Sequence, residues 1–119
     1  PAGLAFEPPS WRVTRDLTRG TVEVELRTNG GTRLPDGTLY HSQSEARTSV
    51  EVAAPANASI VGVSTLSLES PVRTTVSRSR AEIRSDTATF HVTVQLEVTI
   101  DGTPYHSRRW SRSYRRHLL

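Results

Sequence analysis

The sequence predicts an all-β fold: an antiparallel β-sandwich, jelly-roll or immunoglobulin-like, with seven to eight strands. Three observations predict it. Threonine, serine and valine number 15, 14 and 12 and supply 41 of the 119 residues, a mix that favours strands over helices. Phe90 to Ile100 alternates apolar and polar residues without a break, the mark of a strand with one covered face. Clusters of Gly, Pro, Asn and Asp punctuate the chain at hairpin spacing, with no helical pattern between them.

Each element can be justified in chain order. Residues 1–10 contain Pro1, Pro8 and Pro9, and proline restrains both itself and the residue before it to extended backbone. They read as an extended lead-in or linker to a single β-sandwich domain over 11–119. Val22, Val24 and Leu26 then alternate with Glu23, Glu25 and Arg27, and Asn29-Gly30-Gly31 is expected to end that run. Leu34-Pro35-Asp36-Gly37 marks a turn, because proline presets one dihedral and glycine frees another. Tyr40 to Val52 is extended but polar on both faces in its first half, which places it at a sheet edge. Pro55-Ala56-Asn57 breaks it. Ile60 to Leu68 follows, with its apolar residues changing parity near Gly62 to Thr65. Val72 and Val76 share one parity while Ala81 and Ile83 take the other, so a β-bulge is expected around Ser77–Arg80.

Ser85-Asp86-Thr87 turns the chain into the Phe90–Ile100 strand, expected to be central. Its six inward side chains at roughly 1.5–3 kcal/mol each would make it the largest single contribution to a core. Asp101-Gly102 tolerates the positive φ of a two-residue hairpin. The chain returns through Tyr105 to Tyr114, with Trp110 and Tyr114 on one side.

Composition narrows the function. With no cysteine there is no disulfide, thiolate nucleophile or cysteine-ligated metal. No apolar run approaches the ~20 residues of a membrane span, and no basic-then-apolar leader is present. The expectation is a cytoplasmic protein without a membrane partner. All fifteen basic residues are arginine, which reads either as a preference for the fixed guanidinium fork or as the codon usage of a GC-rich genome. Methionine is absent, so Pro1 follows removal of an initiator or the chain is a piece of something longer.

The four histidines lie in separate segments, no G-x-S-x-G elbow accompanies the serines, and Glu23 and Glu25 fall on outward strand positions. No catalytic, metal or cofactor residue is therefore assigned, and the chain is read as not an enzyme. Asn57-Ala58-Ser59 matches the glycosylation sequon, and is read as a chance match. Charge is lopsided: residues 1–104 hold ten arginines and twelve acids (−2), and 105–119 hold five arginines and no acid (+5). The final segment interleaves these arginines with aromatics. Trp11, Tyr105, Arg108, Arg109, Trp110, Arg112 and Tyr114 form the candidate interface. Arginine and aromatics together suit single-stranded nucleic acid, but the near-neutral body offers no basic stripe to continue it, which favours a protein partner. An exposed Trp11, Trp110 and Tyr105 on one face would instead suit a carbohydrate- or ligand-binding module.

The ordered set Trp11-Arg-Val-Thr-Arg-Asp-Leu17, Leu34-Pro-Asp-Gly37, Tyr40–Val52, Val72–Ile83, Ser85-Asp86-Thr87, Phe90-His91-Val92, Asp101-Gly102 and Ser107-Arg108-Arg109-Trp110 resembles the C-terminal β-sandwich of cocaine-esterase and X-Pro dipeptidyl-peptidase (CocE/NonD) type hydrolases. The likeness covers about residues 11 to 119 and extends to an Arg-Arg-His-Leu tail. It departs at Ala53-Ala54-Pro55-Ala56, where many relatives carry an acidic residue before the proline. The resemblance implies a non-catalytic jelly-roll packed on an α/β-hydrolase domain or another subunit, a second copy of itself included. The family's catalytic triad has no matching position here.

Overall fold

Short connections decide this topology, because a strand that turns within a few residues pairs with the strand it has just left. The protein, seen in a computed structural model that describes residues 8–116, forms seven strands: β1 (Ser10–Asp16), β2 (Thr21–Arg33), β3 (Leu39–Glu51), β4 (Ala58–Glu69), β5 (Thr74–Ser85), β6 (Thr89–Ile100) and β7 (Thr103–Arg115). They build one antiparallel sheet in the order β1-β2-β3-β4-β5-β6-β7. The all-β, antiparallel, seven-strand expectation is met. No second sheet lies among the described residues, and β1 and β7 do not meet. Of the 1–10 lead-in, residues 1–7 lie outside the described residues, while Ser10 already pairs with Arg27 in β1.

The turns are held by aspartates. Asp16 Oδ1 accepts the backbone N–H groups of Thr18 and Arg19, each at 3.0 Å. Asp36 Oδ1 takes that of Thr38 at 2.9 Å, and Asp86 Oδ1 takes those of Ala88 at 2.8 Å and Thr89 at 2.7 Å. Each carboxylate thereby replaces a backbone acceptor where the chain reverses. Asp101 and Gly102 have φ of 51° and 79°, the left-handed pair of a type I′ hairpin.

Four sequence expectations are corrected. β2 runs through Asn29-Gly30-Gly31 to Arg33, since β3 pairs with it along its whole length. β3 is an interior strand between β2 and β4; its polar first half sits beside Ser64 and Leu66, which accept serine neighbours without a sheet edge. β6 is the sixth of seven strands rather than the central one. No bulge interrupts Ser77–Arg80, because β5 pairs in register from Thr74 to Ser85. Val76 simply occupies the opposite face from Ala81 and Ile83, and β4 likewise keeps one register with Val61 and Val63 opposite Ile60 and Leu66. The irregularity lies instead in β7, where Val98 pairs with His106 and Thr99 with Pro104, leaving Tyr105 unpaired.

Register sorts the chain into two unlike faces. One row across all seven strands reads Trp11, Leu26, Ala46, Gly62, Ala81, Val94, Trp110. Rows in phase with it carry Val13, Val22, Val24, Ile60, Leu66, Ile83 and every apolar residue of β6. All eight strand acids, Asp16, Glu23, Glu25, Glu45, Glu51, Glu69, Glu82 and Glu97, fall on the other face. Among the described residues the apolar face carries no acid, and its only arginines are Arg15 on β1 and Arg108 and Arg112 on β7. The five inner strands present no charge there.

Among the described residues none is buried. The chain exposes 9073 Å², against about 6,400 Å² for a compact monomer of its mass. Its radius of gyration is 18.2 Å, where a compact chain of this length has about 13–14 Å. The excess is what a single sheet layer leaves uncovered.

Candidate interaction surface

The seven residues singled out from sequence do not form one cluster. Trp110, Arg108, Arg112 and Tyr114 alternate onto the apolar face of β7, opposite Val94, Leu96, Val92 and Phe90 respectively. Arg109 points to the charged face, paired with Gln95. Tyr105, 73% exposed, sits in the bulge. Trp11 shares the apolar face but lies at the other end of the row. Six strand spacings of about 4.8 Å put it roughly 29 Å of sheet from Trp110. Trp11 and Trp110 therefore do not make a single aromatic platform, although they are 78% and 37% exposed. The Arg108 guanidinium lies 4.6 Å from the Trp110 ring centroid, a cation–π contact that occupies one face of the indole.

β7 is also blunted as an edge. It carries Pro104, a bulge and four arginines, each of which discourages a further strand from pairing. Beyond it, Arg116 clasps one end of the sheet. Its backbone N–H donates to Ala88 O at 2.7 Å, and its Nη1 donates to Ala56 O at 3.2 Å and Asp86 O at 3.0 Å. The guanidinium lies 5.2 Å from the Phe90 ring centroid. The Ala53-Ala54-Pro55-Ala56 loop is thus tied to the chain's end through its backbone, not through an acidic side chain.

The charged face divides at β4, where Val61, Val63 and Thr65 separate two regions. Midway along β2 and β3, three glutamates and two arginines form one ion-pair network. Arg27 Nε donates to Glu25 at 2.6 Å and its Nη2 reaches Glu45 at 3.4 Å. Arg47 lies 2.7 Å from Glu23, 3.6 Å from Glu25 and 3.8 Å from Glu45. The hydrogen bond from Arg27, then its charge and that of Arg47, hold the Glu25 carboxyl below its ordinary range. On β5 to β7, Arg80 and Arg84 share Glu82 at 3.0 and 3.3 Å. Among the described residues neither Arg78 nor Arg109 has a carboxylate within ion-pair distance, although Glu97 is the register partner of Arg78. A depression of about 380 Å³ lies among them.

The sheet brings together one set that the sequence keeps apart. His91 Nδ1 lies 3.0 Å from Ser113 Oγ, and its Nε2 lies 3.6 Å from Asp86 Oδ2. The N–H groups of Ala88 and Thr89, then His91, hold the Asp86 carboxyl below its ordinary range. His91 and Asp86 are 45% and 52% exposed. The acid of a hydrolytic triad is buried, where it can fix and stabilise an imidazolium; this one stands in water and serves its turn. No set of three or more His, Asp or Glu suited to a metal occurs among the described residues, and no helix there is long and apolar enough to cross a membrane.

Comparison of the chain with protein-family models, curated proteins and solved structures gives no match.

Proposed function

We propose that the chain is a non-catalytic accessory β-layer that packs its apolar face on a hydrolase domain or partner subunit. One observation carries this reading: the large apolar side chains concentrate on a face free of acids, yet none of them is buried. Monomers seldom leave so large an apolar area open without a use for it. The excess of roughly 2,600 Å² per chain over a compact monomer is of the size that obligate interfaces cover. The ordered resemblance to the accessory domain of CocE/NonD hydrolases supports the hydrolase as the partner. Arg108 and Arg112 sit at the rim of the apolar face, where charge steers association and sets register more than it adds affinity; carboxylates on the partner suit their forked donors.

The test is to prepare the chain alone and together with a hydrolase portion. Alone it should bind a dye specific for exposed apolar surface and self-associate with concentration. With its partner the dye signal should fall, and Arg108→Glu with Arg112→Glu should weaken assembly at least tenfold while circular dichroism of the sheet is unchanged. A chain that is monomeric, cooperative in melting and silent to the dye would overturn the reading. Tight, salt-sensitive binding of single-stranded DNA, lost by the same two substitutions, would favour the nucleic-acid alternative.

A further inference from the structure

The two halves of the charged face treat arginine differently, and the difference locates a second surface, independent of the apolar one. On β2 and β3, Arg27 and Arg47 each reach at least two carboxylates. Across β5, β6 and β7 the same side-chain type lines a depression of about 380 Å³ bounded by Arg78, Arg80, Gln95, Glu97, Ser107 and Arg109, with Arg108 at its margin. Three arginines of the charged face, Arg78, Arg80 and Arg109, stand against one glutamate, Glu97, so its lining on that face carries +2. Among the described residues only Arg80 of the three has a carboxylate partner, Glu82, which it shares with Arg84.

We propose that this hollow binds a small, multiply charged oxyanion. The register supplies the geometry. Arg80, Gln95 and Arg109 are consecutive partners across β5, β6 and β7, and Arg78, Glu97 and Ser107 are consecutive partners in the adjacent row of that face. Arg80 and Arg109 thus stand on either side of β6, two strand spacings apart, about 9.6 Å at the backbone, and both line the hollow. Two planar forks at that separation suit an oxyanion held between them. Beneath it the Gln95 amide and the Ser107 hydroxyl are neutral donors, which stabilise an anion without adding repulsion. Glu97 sets a lower limit on the ligand's charge. A monoanion gains little beside it, whereas a phosphate ester or a polycarboxylate of two or more charges gains from all the guanidinium groups at once. Phosphoryl and carboxylate oxygens offer these forks the same chemistry, and the experiment separates them.

The measurement uses the full 119-residue chain in a nonionic detergent, which shields the apolar face and adds no charge. Side-chain Nε–Hε signals of the arginines are followed by NMR during titration with pyrophosphate, with citrate, and with sodium chloride at matched ionic strength. The expected result is saturable shifts of Arg78, Arg80 and Arg109 with pyrophosphate or citrate, and none of that kind with chloride. Preference between the two anions then identifies phosphoryl or carboxylate ligands. Arg78→Gln with Arg109→Gln should weaken binding at least tenfold, and Arg47→Gln on the other half of the face should leave it unchanged. Shifts that chloride reproduces, or an affinity indifferent to Arg78 and Arg109, would overturn the proposal. Because the hollow lies on the face opposite the proposed docking layer, loss of anion binding and loss of docking are separate outcomes.

Discussion

The two faces of this sheet are made from alternate residues of the same strands, yet they solve opposite problems. On the charged face, Arg27 and Arg47 bridge Glu23, Glu25 and Glu45 within four-ångström contacts and leave one negative charge to water. On the apolar face, Leu26, Ile60 and Val94 have strand neighbours beside them, and among the described residues no second sheet lies above. A sheet in which β-branched and aromatic residues pair across strands gains about 0.2–1 kcal/mol per pair. Full burial of one such side chain gains about 1.5–3 kcal/mol. The larger share of the energy this sequence can release would therefore be realised only if a second layer covered that face. The β2–β3 part of the charged face is satisfied within the single layer, whereas the apolar face leaves its large side chains uncovered.

The most severe way to break that contrast is to put a charge on the apolar face. Val94 lies between Ala81 and Trp110 in the middle row; its neighbour Thr93 faces the other side, opposite Glu82 and Ser111. Val94→Asp is predicted to cost about 3 kcal/mol or more in the covered state, since the carboxylate would lose its water with no partner. Thr93→Lys, which meets Glu82, should change stability by less than about 0.5 kcal/mol. Chemical denaturation of both variants in the assembled protein measures the difference. Equal tolerance would mean that the face assignment is wrong.

Much of this division was legible in the sequence, and the reasons it failed in places are physical. Strict alternation in Phe90–Ile100 identified both the strand and the face, and Asp101-Gly102 identified the turn, because period and positive φ are local properties. Strand order is not local. The polarity of Tyr40 to Ser44 resembles an edge, but serine is equally at home in an interior strand beside Ser64 and Leu66. The parity change between Val76 and Ala81 resembles a bulge, but both residues fit a regular β5 because the Ser67–Thr99 end of the charged face accepts a valine. The true bulge, at Tyr105, falls in a segment too polar for its parity to be read. Arg108, Trp110, Arg112 and Tyr114 share a face as their spacing implies, while Arg109 and Tyr105 have the other parity and Tyr105 falls in the bulge. Arg78 and Arg80 come beside Arg109 only through the pairing of β5, β6 and β7, which no local pattern carries.

A slip of one residue would exchange the two faces of β7, so the hairpin that sets its register is the next place to test. Gly102 has φ of 79° with open space around it, so a Cβ there meets no atoms and the penalty is purely conformational. Gly102→Val is predicted to destabilise by about 1–3 kcal/mol, as a β-branched residue resists that region. The effect should centre on β6 and β7, where hydrogen exchange of Val98 to Tyr105 would quicken while β2 and β3 stay protected. Uniform loss of protection over all seven strands would show that the hairpin does not act locally.

The smallest expected effect separates the faces by pH alone. The Glu25 carboxyl is held low chiefly by the Arg27 hydrogen bond, and those of Asp36 and Asp86 chiefly by backbone N–H groups. A carboxyl whose folded value lies below its unfolded one binds protons more readily when unfolded, so it favours the folded state at higher pH. That contribution is fully present above the ordinary values of 4.5 for Glu25 and 3.8 for the aspartates, and it is lost as pH falls through the depressed ones. The apolar face has no acid to titrate. Acidification below about pH 4 should therefore loosen the β2–β3 ion pairs and the Asp36 and Asp86 turns and lower the melting temperature modestly, while dye binding at the apolar face changes only as far as unfolding exposes more of it. Glu25→Gln should flatten part of the pH dependence and leave the melting temperature at low pH close to that of the parent chain. A melting temperature that rises on acidification would reverse the sign argued for these three carboxylates and assign the charged face a net cost in place of a contribution.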